Sequence, residues 1–181
     1  MLFTTLAVAL LLAPAAHAAT PILGVPDVPP EQAAVWARTH GATPLFVSLA
    51  RLYWEVGEEL DVRPEVAYAQ AAKETNFGRF TGVLDVALHN PCGLKRTGGG
   101  PNASVGAHMR FSSWRQGITA QLEHLALYAG ADGYPRATSP DPRAFRKLAG
   151  TARSVEALGG RWAPSPTYGR SVARLVSSLL G

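Results

Sequence analysis

The sequence predicts a mainly α domain with one small β-hairpin lobe inserted after its third helix. Three observations predict it. Helix punctuation recurs along the chain: Thr43-Pro44, Pro64, Ser113 to Gln116, Asp141-Pro142 and Ser165-Pro166 open segments, and Gly41, Gly78 and Gly130 close them. Apolar residues between these signals follow helical spacing. The stretch Asp85 to Phe111 breaks the pattern, with Gly98-Gly99-Gly100-Pro101-Asn102 between two short runs that can pair.

The elements follow in order. Residues 1–18 read as a cleaved secretory signal: an apolar run, Leu6 to Ala13, precedes Pro14 and the small-residue site Ala16-His17-Ala18. Met1 to Thr5 carries no Lys or Arg, which departs from the usual pattern. The run is short for a membrane span, and no other stretch approaches spanning length. Residues 19–42 read as a Pro-rich linker and a short helix, Glu31 to His40, stopped by Gly41. The main domain is 43–181. Its first helix runs from Pro44 through Leu60, with Leu45, Leu49, Leu52, Tyr53 and Val56 on one face. The next starts at Pro64, where a missing N–H costs nothing, and ends near Gly78. After the lobe, built from Leu94-Lys95 and His108 to Phe111, the box Ser113-x-x-Gln116 starts a helix from Trp114 to Ala129. Asp141-Pro142 caps a short helix to Leu148. The last helix follows Ser165-Pro166 and carries Tyr168, Val172, Leu175, Val176 and Leu179.

The 181 residues carry a formal charge of +4 and one cysteine, Cys92. A single cysteine excludes an internal disulfide, so packing must hold the fold. A basic surface on an exported chain suits anionic cell-envelope polymers. No basic run interleaves with aromatics, which argues against nucleic acid as the partner. Cys92, His89, His108 and His124 lack short ligand spacing, so no zinc site and no cofactor is expected.

The most informative stretch is Ala67 to Phe80. Glu74 sits in the last turn of the helix, where the dipole disfavours another negative charge. Phe77 and Phe80 would add desolvation, and both effects raise a carboxyl pKa toward that of a general acid. Gln70 lies one turn earlier on the same face, with Ala67 and Ala71 leaving a shallow groove beside it. The bland alternative is an ordinary solvated helix-end residue.

A helix-end glutamate beneath a hairpin lobe is the layout of lysozyme-like sugar hydrolases, and the residues themselves resemble a family. Ala69-Gln70-Ala71-Ala72-Lys73-Glu74-Thr75-Asn76-Phe77-Gly78 resembles the catalytic helix of glucosaminidase-domain peptidoglycan hydrolases (glycoside hydrolase family 73). Asn90-Pro91-Cys92-Gly93-Leu94-Lys95 is similar to that family's Asn-x-x-Gly-Ile-Lys strand, and Phe111-Ser112-Ser113-Trp114 to its Phe-x-x-Trp/Tyr entry to the next helix. Tyr168 before a small residue and an apolar helix resembles its late Tyr-Ala motif. The resemblance covers roughly Thr43 to Leu180. It implies a lysozyme-like fold, bacterial peptidoglycan as substrate, cleavage on the reducing side of N-acetylglucosamine, and Glu74 as proton donor. Tyr168 is then a groove residue near the acid that helps position or stabilise the transition state.

Family members carry an acid inside the lobe, and none lies between Arg96 and Arg110 here. A two-carboxylate mechanism needs a partner about 5 to 9.5 Å from the acid. Asp85, entering the lobe, is the carboxylate best placed to face Glu74; otherwise it makes a local turn. Without it, the substrate's 2-acetamido oxygen can act as nucleophile. Trp162, in a loop between Gly159-Gly160 and Pro164, is a sugar-platform candidate, as are Trp114, Tyr128 and Tyr134. Trp114 leads a stripe with Ile118, Leu122 and Leu125 and fits the core better. Gly117, Gln121, His124 and Tyr128 form a second line on that helix, expected to lie beneath the glycan. Asn90 and Lys95 either bond the substrate or shape the lobe.

Other functions stay open at this point. Cys92 with His108 or His124 would make a cysteine peptidase, although Cys92 does not open a helix that would stabilise a thiolate. A lytic transglycosylase or muramidase would use the same glutamate, and a glycan-binding module would not need it. The chain is taken as a secreted monomer acting on peptidoglycan glycan strands.

Overall fold

The structure, a computed structural model, describes residues 18–181, so the expected signal at 1–18 lies almost wholly outside the described residues. Five α-helices carry the fold: α1 (Pro30–Thr39), α2 (Pro44–Leu60), α3 (Pro64–Thr75), α4 (Trp114–Ala129) and α5 (Tyr168–Leu180). Proline occupies the first turn of α1, α2 and α3. Thr43 caps α2 by accepting from the Phe46 N–H. Gly130, at φ 79°, ends α4. The helix of Glu74 ends earlier than expected. Asn76, not Gly78, is the left-handed cap, and Phe77 and Gly78 stay left-handed after it, so the chain reverses sharply just past the acid.

α3 lies at the centre, against α2 and α5, with α4 across α2 and α1 across α2 and α5. Its small residues make this possible. Ala67, Ala69, Ala71 and Ala72 are fully buried, so neighbouring helices approach its backbone closely. The groove expected beside Ala67 and Ala71 is therefore filled by packing. The core continues through Tyr53, Tyr68, Ile118, Leu122, Leu125, Val172 and Val176.

Residues 19–29 are not a free linker. Ile22 is fully buried, Pro21 and Leu23 bridge Ser154 and Val62, and Glu156 accepts from the Thr20 N–H. Trp36 of α1 enters the core, so 19–42 belongs to the packed body. Two other expectations change. The segment after Asp141-Pro142 forms only a 3-10 turn, Arg146–Leu148, and Asp141 accepts from the Arg143 N–H and faces His124. The hairpin lobe reduces to one antiparallel bridge, Lys95 with His108, flanked by two 3-10 turns, Val86–Leu88 and Val105–Ala107.

Gly117 fixes how α4 meets this lobe. A Cβ there would lie 1.9 Å from the His89 carbonyl oxygen. Gly117→Ala must therefore push α4 and the 86–89 turn apart, and overpacking of this kind costs about 1–3 kcal/mol. A chemical-denaturation midpoint clearly below that of the unsubstituted chain is the expected outcome, and an unchanged midpoint would contradict it.

Candidate active site

A cavity of about 720 Å³ opens between the end of α3, the lobe, α4 and the 143–164 loops. Glu74 is its one carboxylate among the described residues. Phe80, Cys92 and Leu94 line it from the lobe side, and His124, Tyr128 and Trp162 face it from α4 and its flanking loop. Lys95, Arg143, Lys147 and Arg161 also line it, and among the described residues none of the four pairs with a carboxylate.

Burial pushes the Glu74 carboxyl above the usual carboxylate range, opposed by the Tyr168 hydroxyl and by Lys73. Tyr168 O–H donates to Glu74 Oε1 at 2.5 Å. Behind it the donors run in one direction: Gln70 Nε2 donates to Tyr168 Oη at 3.0 Å, and Gln121 Nε2 donates to Gln70 Oε1 at 2.8 Å. Tyr53 O–H closes the series on Gln121 Oε1 at 2.8 Å. Tyr53, Gln70 and Gln121 are fully buried, so each bond replaces water that cannot enter. Gln70 is thus a second layer behind the acid, not a wall of the cleft. Gly169 allows Tyr168 to reach Glu74, since a Cβ there would meet the Val155 carbonyl oxygen at 2.3 Å.

The other sequence candidates divide. Lys95, His124, Tyr128 and Trp162 share the cavity with Glu74. Phe77 does not: its ring stacks on His40 and packs against Trp36 and Phe46, because the left-handed reversal turns it toward α1. Asn90 is fully buried and staples the lobe, bonding Leu94 and Met109 backbone atoms. Asp85 is exposed, caps its own turn on the Ala87 N–H at 2.7 Å, and lies outside the cavity lining. Trp114 packs on Phe80 and His89 rather than facing the cavity. Of the α4 line, Gly117 and Gln121 are buried beneath the lobe and α3, and only its last two members reach the cleft.

Burial, with the nearby Glu74 charge, pushes the Cys92 thiol up, the reverse of what a nucleophilic thiolate requires. The peptidase pairing thereby loses its chemistry. Sequence reasoning missed two features, the donor series through Gln121 and Tyr53 and the pair of His124 with Asp141. His124 Nδ1–H donates to Asp141 Oδ2 at 2.7 Å. Spacing on α4 pointed to Gln121 and His124, but nothing local pairs them with residues 51 and 17 positions away in the chain.

A relative from Borreliella burgdorferi, described only as an uncharacterized protein, is 28% identical over 133 residues, covering 74% of this chain. The chain spans 62% of that relative's length. The catalytic domain of the autolysin Auto from Listeria monocytogenes aligns at a TM-score of 0.48 and 19% identity, covering 80% of this chain and 84% of that one. The family described as mannosyl-glycoprotein endo-β-N-acetylglucosaminidase matches residues 50–180, taking in α3, the lobe, α4 and α5. On that match the chain belongs to the glucosaminidase family of glycoside hydrolases.

Proposed function

We propose that this chain is an exported peptidoglycan hydrolase that cleaves the β-1,4 bond on the reducing side of N-acetylglucosamine, with Glu74 as general acid. The observation that carries this is the lone carboxyl lining the cavity among the described residues, half-buried, held by Tyr168 and pushed up by desolvation. A shift in that direction favours the protonated form that a general acid needs, and that proton can go to a glycosidic oxygen. Charge supports the choice of glycan. A neutral oligomannose chain offers Lys95, Arg143, Lys147 and Arg161 nothing to pair with, whereas the muramic lactyl and peptide carboxylates do. The chain is read as acting as a monomer. No helix among the described residues is long and apolar enough to cross a membrane. Export rests on the sequence of residues 1–18.

With Asp85 turned to its own loop, the 2-acetamido oxygen of the substrate serves as nucleophile. Asp85→Asn should then keep activity within a fewfold, and a thiazoline mimic of the cyclised acetamido group should inhibit. Near-complete loss in folded Asp85→Asn without thiazoline inhibition would reverse this assignment.

The bond itself is read from product ends. Fragments released from purified peptidoglycan and reduced with borohydride should end in N-acetylglucosaminitol. Reduced muramic acid would indicate a muramidase, and a non-reducible anhydro end a transglycosylase. Binding with no new ends would leave only a glycan-binding module.

A further inference from the structure

The His124–Asp141 pair is built like a catalytic dyad and has no task in the reaction described so far. Asp141 is nearly fully buried behind the imidazole, and its other oxygen accepts from the Arg143 N–H at 2.8 Å. A carboxylate only accepts, so Nδ1 carries a proton, and Nε2 is the acceptor of the ring whenever the ring is uncharged. Nε2 has no hydrogen-bond partner among the described residues, and His124 lines the cavity. The ring cannot swing away. Tyr128 and Trp162 stand edge-to-face against it, with centroids 5.0 and 5.1 Å distant. The pair and the acid belong to one site, because Gln70 and Gln121 bond each other one turn before Glu74 on α3 and about one turn before His124 on α4. The Glu74 and Asp141 charges both act on the same buried thiol, Cys92.

Resting on the glucosaminidase reading above, we propose that His124 Nε2, oriented by Asp141, accepts the acetamido N–H proton of the N-acetylglucosamine unit as that group attacks its own C1. Glu74 gives its proton to the glycosidic oxygen and the C1–O bond breaks. The acetamido carbonyl oxygen bonds C1, and its nitrogen releases a proton to Nε2. This leaves a neutral oxazoline and an imidazolium facing Asp141. Water then attacks C1 and gives a proton to the Glu74 carboxylate. The C1–oxazoline oxygen bond opens and the imidazolium returns its proton to nitrogen. One water is consumed, and the anomeric configuration is retained. The aromatic pair beside the ring offers an apolar seat for the acetamido methyl.

Asp141→Asn tests this with little change in shape. An amide there can donate to Nδ1 and drive the ring proton to Nε2, the wrong tautomer for an acceptor. His124→Gln, Asp141→Asn, the double variant and Glu74→Gln are compared in kcat, KM, product configuration and thiazoline affinity. Each dyad variant should lose at least ~100-fold in kcat with KM within about threefold, the scale of a lost proton acceptor. The double variant should lose little more than either single one, because the two residues act as a unit. Thiazoline should bind at least ~10-fold more weakly to each. If His124→Gln does not fold, Asp141→Asn decides. A folded dyad variant with near-normal kcat, unchanged thiazoline affinity, or an inverted product overturns the proposal. An active Glu74→Gln enzyme instead overturns the reading on which it rests, while loss in Glu74→Gln alone leaves that reading standing and removes only the dyad.

Discussion

Replacing Glu74 by Gln is expected to lower turnover at least ~100-fold while making the protein more heat-stable at pH 8. Both results follow from one fact, that burial raises the folded-state pKa of this carboxyl. Glutamine fills the same volume and can still accept from Tyr168, but it has no proton to give. The stability sign follows from linkage. A group whose pKa is raised on folding contributes stability below its unfolded value, about pH 4.3, and loses it as pH rises through the folded value. Above that window the wild-type protein holds a charged carboxylate in a site that disfavours it, and the amide does not. The melting temperature of Glu74→Gln should therefore exceed that of wild type at pH 8, and the gap should close toward about pH 4. Activity within a fewfold of wild type would remove Glu74 from the mechanism. A melting temperature lower at pH 8 would mean that the carboxylate is stabilised where it stands.

The helices, and the position of Glu74 in the last turn of α3, are legible in sequence because their signals are local. Thr43-Pro44, Ser113 and Gly130 act within one turn, and α2 and α4 begin and end where these residues place them. The stretch at 19–29 misleads for the same reason. Proline and glycine describe an irregular backbone, but they do not reveal that Ile22 is fully buried or that Glu156 binds Thr20. Phe77 fails through geometry. Counting residues places it beside Glu74, yet three successive left-handed residues turn its ring to the opposite side. Asp85 and Asn90 are polar residues with two uses, and in both the local backbone contact wins over the cleft. The dyad and the donor series lie beyond sequence reading because each joins elements far apart in the chain.

Tyr168→Phe is expected to cut turnover roughly 100-fold, comparable to losing one preorganised donor to a developing anion. As Glu74 gives up its proton, negative charge grows on a carboxylate that Tyr168 O–H meets at 2.5 Å. Phenylalanine keeps the ring in place beneath Lys73 and in the core but removes that donor. It also strips Gln70 Nε2 of its acceptor inside the protein, which costs about 1–3 kcal/mol of stability. The pH profile separates a role through Glu74 from simple loosening of the fold. Tyr168 lowers the Glu74 pKa, so its hydroxyl's removal should raise it further. The acid must be protonated to work, and the alkaline limb of kcat/KM reports its titration in the free enzyme. That limb should move to higher pH in Tyr168→Phe even as the plateau falls. A lower plateau with an unmoved limb would show that Tyr168 only supports the α5 packing. A limb moved to lower pH would show that Glu74 is not the titrating acid.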